Sequence, residues 1–265
     1  MPVEPRPAAS VVLVRPGAPV AIECYLIRRA PGMRFLGGYY AFPGGKVDLA
    51  DRRPEAFARS HGLAPADAAA RVDDPRDEVP ALAYWVAAVR EVFEETGLLL
   101  AVDARGQAVD ARPAAVAGRL EAHRQALVRG ERSFTAVLAN EGWAADLSRL
   151  VYFSHFVTPP ASPIRFSARF FLCPVPPGQA PRVILEETTE GVWAAPDAAH
   201  ARFRRGEWPM AEPAEYGTQY LAQFPSWAAL WAHHADGRSK FDGIIHRLGA
   251  ARHLLDPAAV AASRG

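Results

Sequence analysis

Cysteine is scarce in this chain: there are only Cys24 and Cys173, and both fall in apolar stretches that read as strands. Two isolated thiols exclude a disulfide framework and a cysteine-based metal knot; they fit reduced core residues and a cytoplasmic setting. An excess of charge is missing too, since 30 basic residues face 29 acidic ones for a formal net charge of +1. No global field therefore draws in nucleic acid or an anionic membrane, and any anion binding must be local. Nowhere does an apolar run reach the roughly 18 residues of a membrane span, and residues 1–6 lack the apolar core of a signal peptide, so neither insertion nor export is expected. The final Ala262-Ser263-Arg264-Gly265 does not match the peroxisomal tripeptide. The phosphate-cradling G-x-x-x-x-G-K-[ST] loop is absent. The histidines show no paired ligand spacing beyond His233-His234, which read as surface or capping residues, and no repeat or heptad pattern occurs. What remains is 265 residues, enough for one elaborated domain or two small ones.

Residues 11–14 and 22–27 are short β-branched runs separated by the turn-forming Pro16-Gly17-Ala18-Pro19, which predicts two antiparallel strands. A loop holding Gly37 and Gly38 leads to a third strand over 39–42, stopped by Pro43-Gly44-Gly45. Residues 52–79 carry few large apolar side chains and read as one or two small surface helices inside a long insertion. A long helix is predicted to start near Pro80, taken as its first helical position, and to end at Gly97, with strand character over 98–102. Helices are expected over 113–130, over 133–142 with Ser133 as N-cap, over 196–205 and over 215–234. Strands are expected over 150–157, 166–175 and 191–194, and the tail from Pro257 reads as frayed. Interleaved strands and helices predict an α/β fold with a mixed sheet.

The segment that carries chemistry is Arg90-Glu91-Val92-Phe93-Glu94-Glu95-Thr96-Gly97-Leu98. At about 100° per residue, Glu91, Glu94 and Glu95 share one helix face while Leu82, Trp85, Val86, Val89, Val92 and Phe93 take the other. Like charges about 4 Å apart repel by roughly 4 kcal/mol at an effective dielectric near 20. Such a cluster calls for a cation, and a hard divalent ion that accepts a few carboxylates plus substrate phosphates is the natural one. Arg90 is spaced to pair with Glu94 along the helix. An ordinary exposed amphipathic helix would hold the same residue types. Against it stand the Thr-Gly-Leu ending, the strand that ends in Phe42-Pro43-Gly44-Gly45, and the order of elements.

This segment resembles, without exception, R-E-U-x-E-E-x-G-U, the second half of the signature of the Nudix hydrolases, with U bulky and aliphatic. The resemblance implies a Nudix α/β/α sandwich with a mixed central sheet, occupying 1–265 as a single domain, with 52–79 as a helical insertion inside the signature and 210–265 as a C-terminal helical extension. It implies a hydrolase dependent on Mg2+ or Mn2+ that cleaves the diphosphate bond of a nucleoside diphosphate derivative. The metal ligands it implies are Glu91, Glu94, Glu95 and the backbone carbonyl of Gly45; Glu94 and Glu91 would act in catalysis with Arg90 orienting a carboxylate. For Gly45 a plain strand-ending turn is the other reading. The first half of the signature, G-x5-E, carries Asp51 in place of glutamate. Between Asp51 and Arg90 lie 38 residues, an insertion of 31, tolerable as a surface loop because closure entropy grows slowly with length. It leaves the parts played by Asp51 and Asp48 open.

Upstream, residues 34–45 fit R-x3-G-x3-F-P-G-G, part of the signature of coenzyme A diphosphatases within the same family. Ala30 also falls where that signature accepts serine or alanine, although residues 25–29 keep only one leucine of its Leu-Leu-Thr-x-Thr portion. With its divided signature, the chain is similar to the branch known from the mammalian nudix-type motif 19 protein. That likeness implies coenzyme A or acyl-coenzyme A as substrate, released as 3′,5′-ADP and (acyl-)4′-phosphopantetheine. Substrate contacts are expected from Arg34, Phe42, Arg165 and Arg169, with a solvated surface position as the plain alternative for Arg169. A water-activating base is sought in the loop 186–190, at Glu187 or Glu190, which otherwise reads as a charged hairpin. Hydrolysis of ADP-ribose, NADH or a nucleotide sugar is the rival reading within the class. A non-catalytic nucleotide sensor is the rival outside it, and the intact glutamates oppose it. The expected partner is a small molecule, not nucleic acid or membrane, with a homodimer left open.

Overall fold

The computed structural model describes residues 3–18, 21–33, 35–72, 78–184 and 188–237. The first two predicted strands form, as β1 (Arg6–Arg15) and β2 (Glu23–Arg29) paired antiparallel. Next comes β3 (Tyr40–Ala41), which pairs with β2. Pro43-Gly44-Gly45, expected to stop the strand, does not end the sheet. The chain changes partner there, and β4 (Gly44–Lys46) runs antiparallel to β1 with Ser10 opposite Gly44. The reason is close approach: a Cβ on Gly44 would run into the Ala9 carbonyl and the Ser10 side chain, so only glycine lets the two backbones meet.

A 3-10 turn (Ala50–Arg52) leads into the insertion, which holds two short helices, α1 (Pro54–Ala58) and α2 (Pro65–Arg71), separated by β5 (Ser60–His61). They are mostly exposed, as their composition predicts, and pin themselves down through Ala56 and Ala68. The long helix is α3 (Ala81–Thr96); Pro80 is its N-cap rather than its first helical residue, and Gly97 closes it in the left-handed conformation, φ 71°. Only β6 (Ala101–Val102) follows as strand, because the Leu99 N–H and carbonyl are both taken by the Gln179 side chain, at 2.9 and 3.0 Å, and the Leu98 N–H by the Thr96 hydroxyl. Helices α4 (Ala114–Val128) and α5 (Phe134–Glu141) come next, the second capped by the Ser133 hydroxyl on the Ala136 N–H. Then β7 (Ala144–Asp146), unforeseen from its alanine-rich sequence, joins β5 and β6 in a small second sheet.

Strands β8 (Val151–Val157), β9 (Phe166–Pro174) and β10 (Thr188–Ala194) complete the main sheet, whose order is β10-β2-β1-β9-β8 with β3 on β2 and β4 on β1. The sheet is mixed because β1 and β9 run parallel along nine residue pairs. Three helices follow: α6 (Pro196–Arg204), α7 (Glu212–Leu221) and α8 (Trp227–His233). The single helix expected over 215–234 is thus two. Pro225 has no N–H for a continuing helix, and Ser226 restarts one by accepting from the Ala229 N–H. His234 caps α8, yet it is buried against Tyr220 and Phe153 rather than lying at the surface. Residues from Pro257 onward, expected to fray, lie outside the described residues.

Alternation along β1 divides the core in two. Ala9, Val11 and Leu13 pack under α3, with α4 and α5 behind it, while Val12 and Val14 pack against α6, α7 and α8. The α/β/α layering follows. Cys24 and Cys173 are buried, free and unreactive, since burial pushes both thiols up to about 12. Among the described residues no helix is long and apolar enough to cross a membrane.

Candidate active site

Helix α3 is buried nearly all round. Its apolar face enters the core, as the periodicity demands, and its acidic face is covered by β4 and the 3-10 turn. At the centre lies Arg90, 5% exposed. Its Nε and Nη2 clasp the Asp51 carboxylate at 3.1 and 2.8 Å, its Nη1 reaches Glu91 at 2.8 Å and Glu94 at 3.0 Å, and Nη2 also donates to the Lys46 carbonyl at 2.7 Å. Glu95 turns the other way and accepts the Gly44 N–H at 2.7 Å. Gly45 backs directly onto Glu91, for a Cβ there would sit 2.5 Å from its Oε1.

The three glutamates therefore share a face, as their spacing requires, but are not stacked as a bare triad. Among the described residues no three acidic, imidazole or thiolate groups converge tightly enough to grip an ion unaided. Repulsion is relieved by donors, Glu91 and Glu94 sharing the Arg90 Nη1 and Glu95 turning to the Gly44 N–H. The electrostatic strain persists. Burial pushes the Glu91 carboxyl well above its usual range, and Glu95 and Glu94 add to the rise while Arg90 opposes it. Glu94 is raised by burial in the same way. Burial works to lower the Arg90 pKa, but Glu91 and Asp51 outweigh it and lock the guanidinium in its charged form. Oxygen donors from carboxylates, with a glycine backbone lying against one of them, fit a hard cation held loosely and completed by waters and phosphate oxygens.

The far end of α3 is clamped. Arg124 of α4 is buried, donates to the Glu94 carbonyl at 3.3 Å and grips Glu121 at 2.8 Å. Glu121 in turn holds Arg182 at 2.8 Å, and the Arg182 N–H caps the Thr96 carbonyl at 2.9 Å. Orphan carbonyls of the last turn thus meet donors and positive charge where the helix dipole favours both.

The carboxylate cluster borders a cleft of about 2070 Å³. Gly45, Arg90, Glu91, Glu94 and Glu95 all face it, as does Phe42, whose ring stands edge-on to Phe170 and fills the space a side chain on Gly217 of α7 would need. Arg165 also lines the cleft, but its guanidinium is tied to the Thr158 and Val3 carbonyls at 2.9 and 2.6 Å. Two expected residues are elsewhere. Arg169 is 1% exposed on the opposite face of β9, with its guanidinium over the Tyr84 ring at 5.1 Å and Nη1 on the Ser167 hydroxyl, neither solvated nor in the cleft; strand alternation turns it toward α3 while Ala168 and Phe170 turn to the cleft. Glu190 does not line the cleft, and its carboxylate accepts the Tyr40 hydroxyl at 2.7 Å. Burial, together with that bond, pushes the Tyr40 hydroxyl up to about 12. Arg34 and Glu187 lie outside the described residues.

Asp51, whose part the sequence leaves open, is buried at 2% exposed and is the main anchor of Arg90. The signal was there, in the five-residue spacing from Gly45. Arg132, Glu212 and Glu215 also line the cleft; nothing local in their sequence says so, since the turn between α4 and α5 and the packing of α7 bring them there.

Comparison with known proteins agrees with this architecture. The chain matches the family described as the NUDT19 Nudix domain over residues 6–221. It is 28% identical over 258 residues to the human acyl-coenzyme A diphosphatase NUDT19, covering 85% of this chain and 67% of that protein. Identity to the chicken protein of the same name is 26% over 263 residues, covering 83% and 69%. Among solved structures, a NUDIX hydrolase from Alicyclobacillus acidocaldarius superposes with a TM-score of 0.73 at 33% identity, covering 87% of this chain and 96% of its own. With the helix-borne carboxylates, the Gly44-Gly45 strand and this match over most of its length, the chain belongs to the NUDT19 Nudix domain family and is a Nudix hydrolase of the diphosphatase class.

Proposed function

We propose that this hydrolase splits the diphosphate bond of coenzyme A or an acyl-coenzyme A, releasing 3′,5′-ADP and 4′-phosphopantetheine or its acyl form. The observation that carries the reading is the junction of α3 with β4, where Glu91, Glu94, Glu95 and the Gly45 backbone open into a cleft far larger than a mononucleotide needs. The relatives' activity toward acyl-coenzyme A supports the choice of substrate. Those four groups would hold Mg2+ or Mn2+, which when bound neutralises the diphosphate and lowers the pKa of a coordinated water. Arg90 keeps Glu91 and Glu94 oriented from beneath. Glu94 has the more open side chain of that pair, 19% exposed against 10% for Glu91, and we assign it to take the proton of the attacking water as the bridging P–O bond breaks.

Glu94→Gln and Glu95→Gln should each lower kcat by about a hundredfold or more, the loss expected when a positioned proton acceptor or charge-stabilising group is removed. Circular dichroism should report an unchanged fold. Near-normal turnover would refute the assignment. A screen over coenzyme A, acyl-coenzyme A, ADP-ribose and NADH with added Mg2+ or Mn2+, products identified by mass, tests the substrate. Preference for ADP-ribose or NADH would replace coenzyme A while leaving the chemistry in place.

A further inference from the structure

The end of β8 and its connection to β9, residues 157–165, line the cleft along their whole length and carry three prolines, Pro159, Pro160 and Pro163. Together they form a fixed wall. The Ser162 N–H donates to the Pro159 carbonyl at 3.1 Å and its hydroxyl to the Ile164 carbonyl at 2.7 Å, while Arg165 ties the neck to Thr158 and to Val3 at the head of β1. Its exposed residues, Val157, Pro159, Pro160, Ala161 and Pro163, are apolar. The large apolar side chains that are exposed among the described residues are Val3, Tyr39, Leu49, Val128, Val157 and Val183, and of these Val3, Tyr39, Val128 and Val157 all line this cleft. Exposed apolar groups gathered in one groove mark a binding surface for something equally apolar.

Strand register measures how far this wall lies from the carboxylates. Gly44, bonded to Glu95, stands opposite Ser10 of β1, and Phe166, the first residue after the hairpin, stands opposite Arg6. Four residues along β1, about 13 Å, and two strand spacings across it, about 10 Å, separate the two, about 16 Å in all. The arm of 4′-phosphopantetheine from phosphate to sulfur is a chain of about thirteen atoms, equivalent to about four residues and about 14 Å when extended. A diphosphate seated at Glu91, Glu94 and Glu95 would thus bring its thioester within a few ångströms of the base of the hairpin, and the acyl chain beyond it would lie on the hairpin.

We propose that the 157–165 hairpin is the acyl-recognising wall of the cleft, and that Arg165 is a positioning residue that holds this wall rather than a phosphate ligand. The proposal rests on the coenzyme A reading above. Because the prolines and Arg165 order the hairpin beforehand, little conformational freedom is lost when an acyl chain lies on it.

Kinetics of Arg165→Met, Arg165→Lys and Val157→Asp with free, butanoyl- and dodecanoyl-coenzyme A test this. Val157 is 44% exposed, so its variant should fold. For Arg165→Met and Val157→Asp, KM for the dodecanoyl ester should rise about fivefold relative to KM for free coenzyme A, with kcat for the ester little changed, as expected when a few methylenes lose an apolar seat. Arg165→Lys, able to reach one of the two carbonyls, should recover part of the ratio. A rise in KM of equal size for free coenzyme A and both esters would make Arg165 a phosphate contact and overturn the proposal alone. So would a wild-type enzyme that treats all chain lengths equally. Failure of the wild type to cleave free coenzyme A or either ester would overturn the parent reading, and the wall with it.

Discussion

Arg90 shows how one buried charge can organise a site. Its guanidinium faces four carboxylates, those of Asp48, Asp51, Glu91 and Glu94, yet only Asp51 meets it with two oxygens and almost no exposure. Removing one partner of a buried ion pair is costly because the other stays desolvated. Asp51→Ala should therefore lower stability by about 3 kcal/mol, near the low end for such losses since Glu91 and Glu94 still face Arg90. Urea denaturation would give the value, and a loss under about 0.5 kcal/mol, the size of an ordinary surface substitution, would show that Asp51 does not anchor the arginine. The contrast with Arg169 is instructive. Both arginines are buried, and only their neighbours separate a site residue from a packing residue.

At the level of elements, the position of α3 depends on parts the signature never mentions. The chain Arg182–Glu121–Arg124 fastens the last turn of α3 to α4 and to the segment before β10. The hydrogen bond from Arg124, with help from Gln125 and Arg182, holds the Glu121 carboxyl down to about 2 against an ordinary 4.5. A depressed carboxylate pKa stabilises the fold at pH above the ordinary value, and the stabilisation is lost as pH falls through 4.5 toward 2. The stability difference between wild type and Glu121→Gln should accordingly be full above that window and shrink within it, as read from denaturation at stepped pH. A difference that grows on acidification would contradict the clamp. The elements also show why some boundaries escaped prediction. β5 and β7 have no strand-like composition and exist because they find each other and β6 across distant sequence, whereas Ser133 and Gly97 carry their capping chemistry in their own side chains or lack of one.

Over the whole molecule, the site joins α3 to β4 and the turn that follows it, segments that the insertion separates in the chain, so a cation bound there should brace them together. An ion that binds only the folded form stabilises it by about 2.7 kcal/mol at a hundred times its Kd. Saturating Mg2+ or Mn2+ should raise the thermal midpoint of the wild type clearly and that of Glu91→Gln much less, by differential scanning fluorimetry. An unchanged wild-type midpoint would mean that the acidic edge holds no divalent ion. The sequence by itself determined the local rules: a helix of period 3.6 that sets Glu91, Glu94 and Glu95 on one edge, glycines where backbones must touch, caps at Ser133 and Gly97, and the signature that names the chemistry. Each depends on neighbours within a few residues. Only the tertiary structure decided that Asp51 returns to Arg90 across a 31-residue insertion, that Arg169 and Glu190 turn away from the cleft, and that α7 and the 157–165 hairpin close around it. Those outcomes depend on which distant segments pair and on which face of the sheet each helix covers; alternation puts Arg169 and Ala168 on opposite faces but does not say which face carries the cleft.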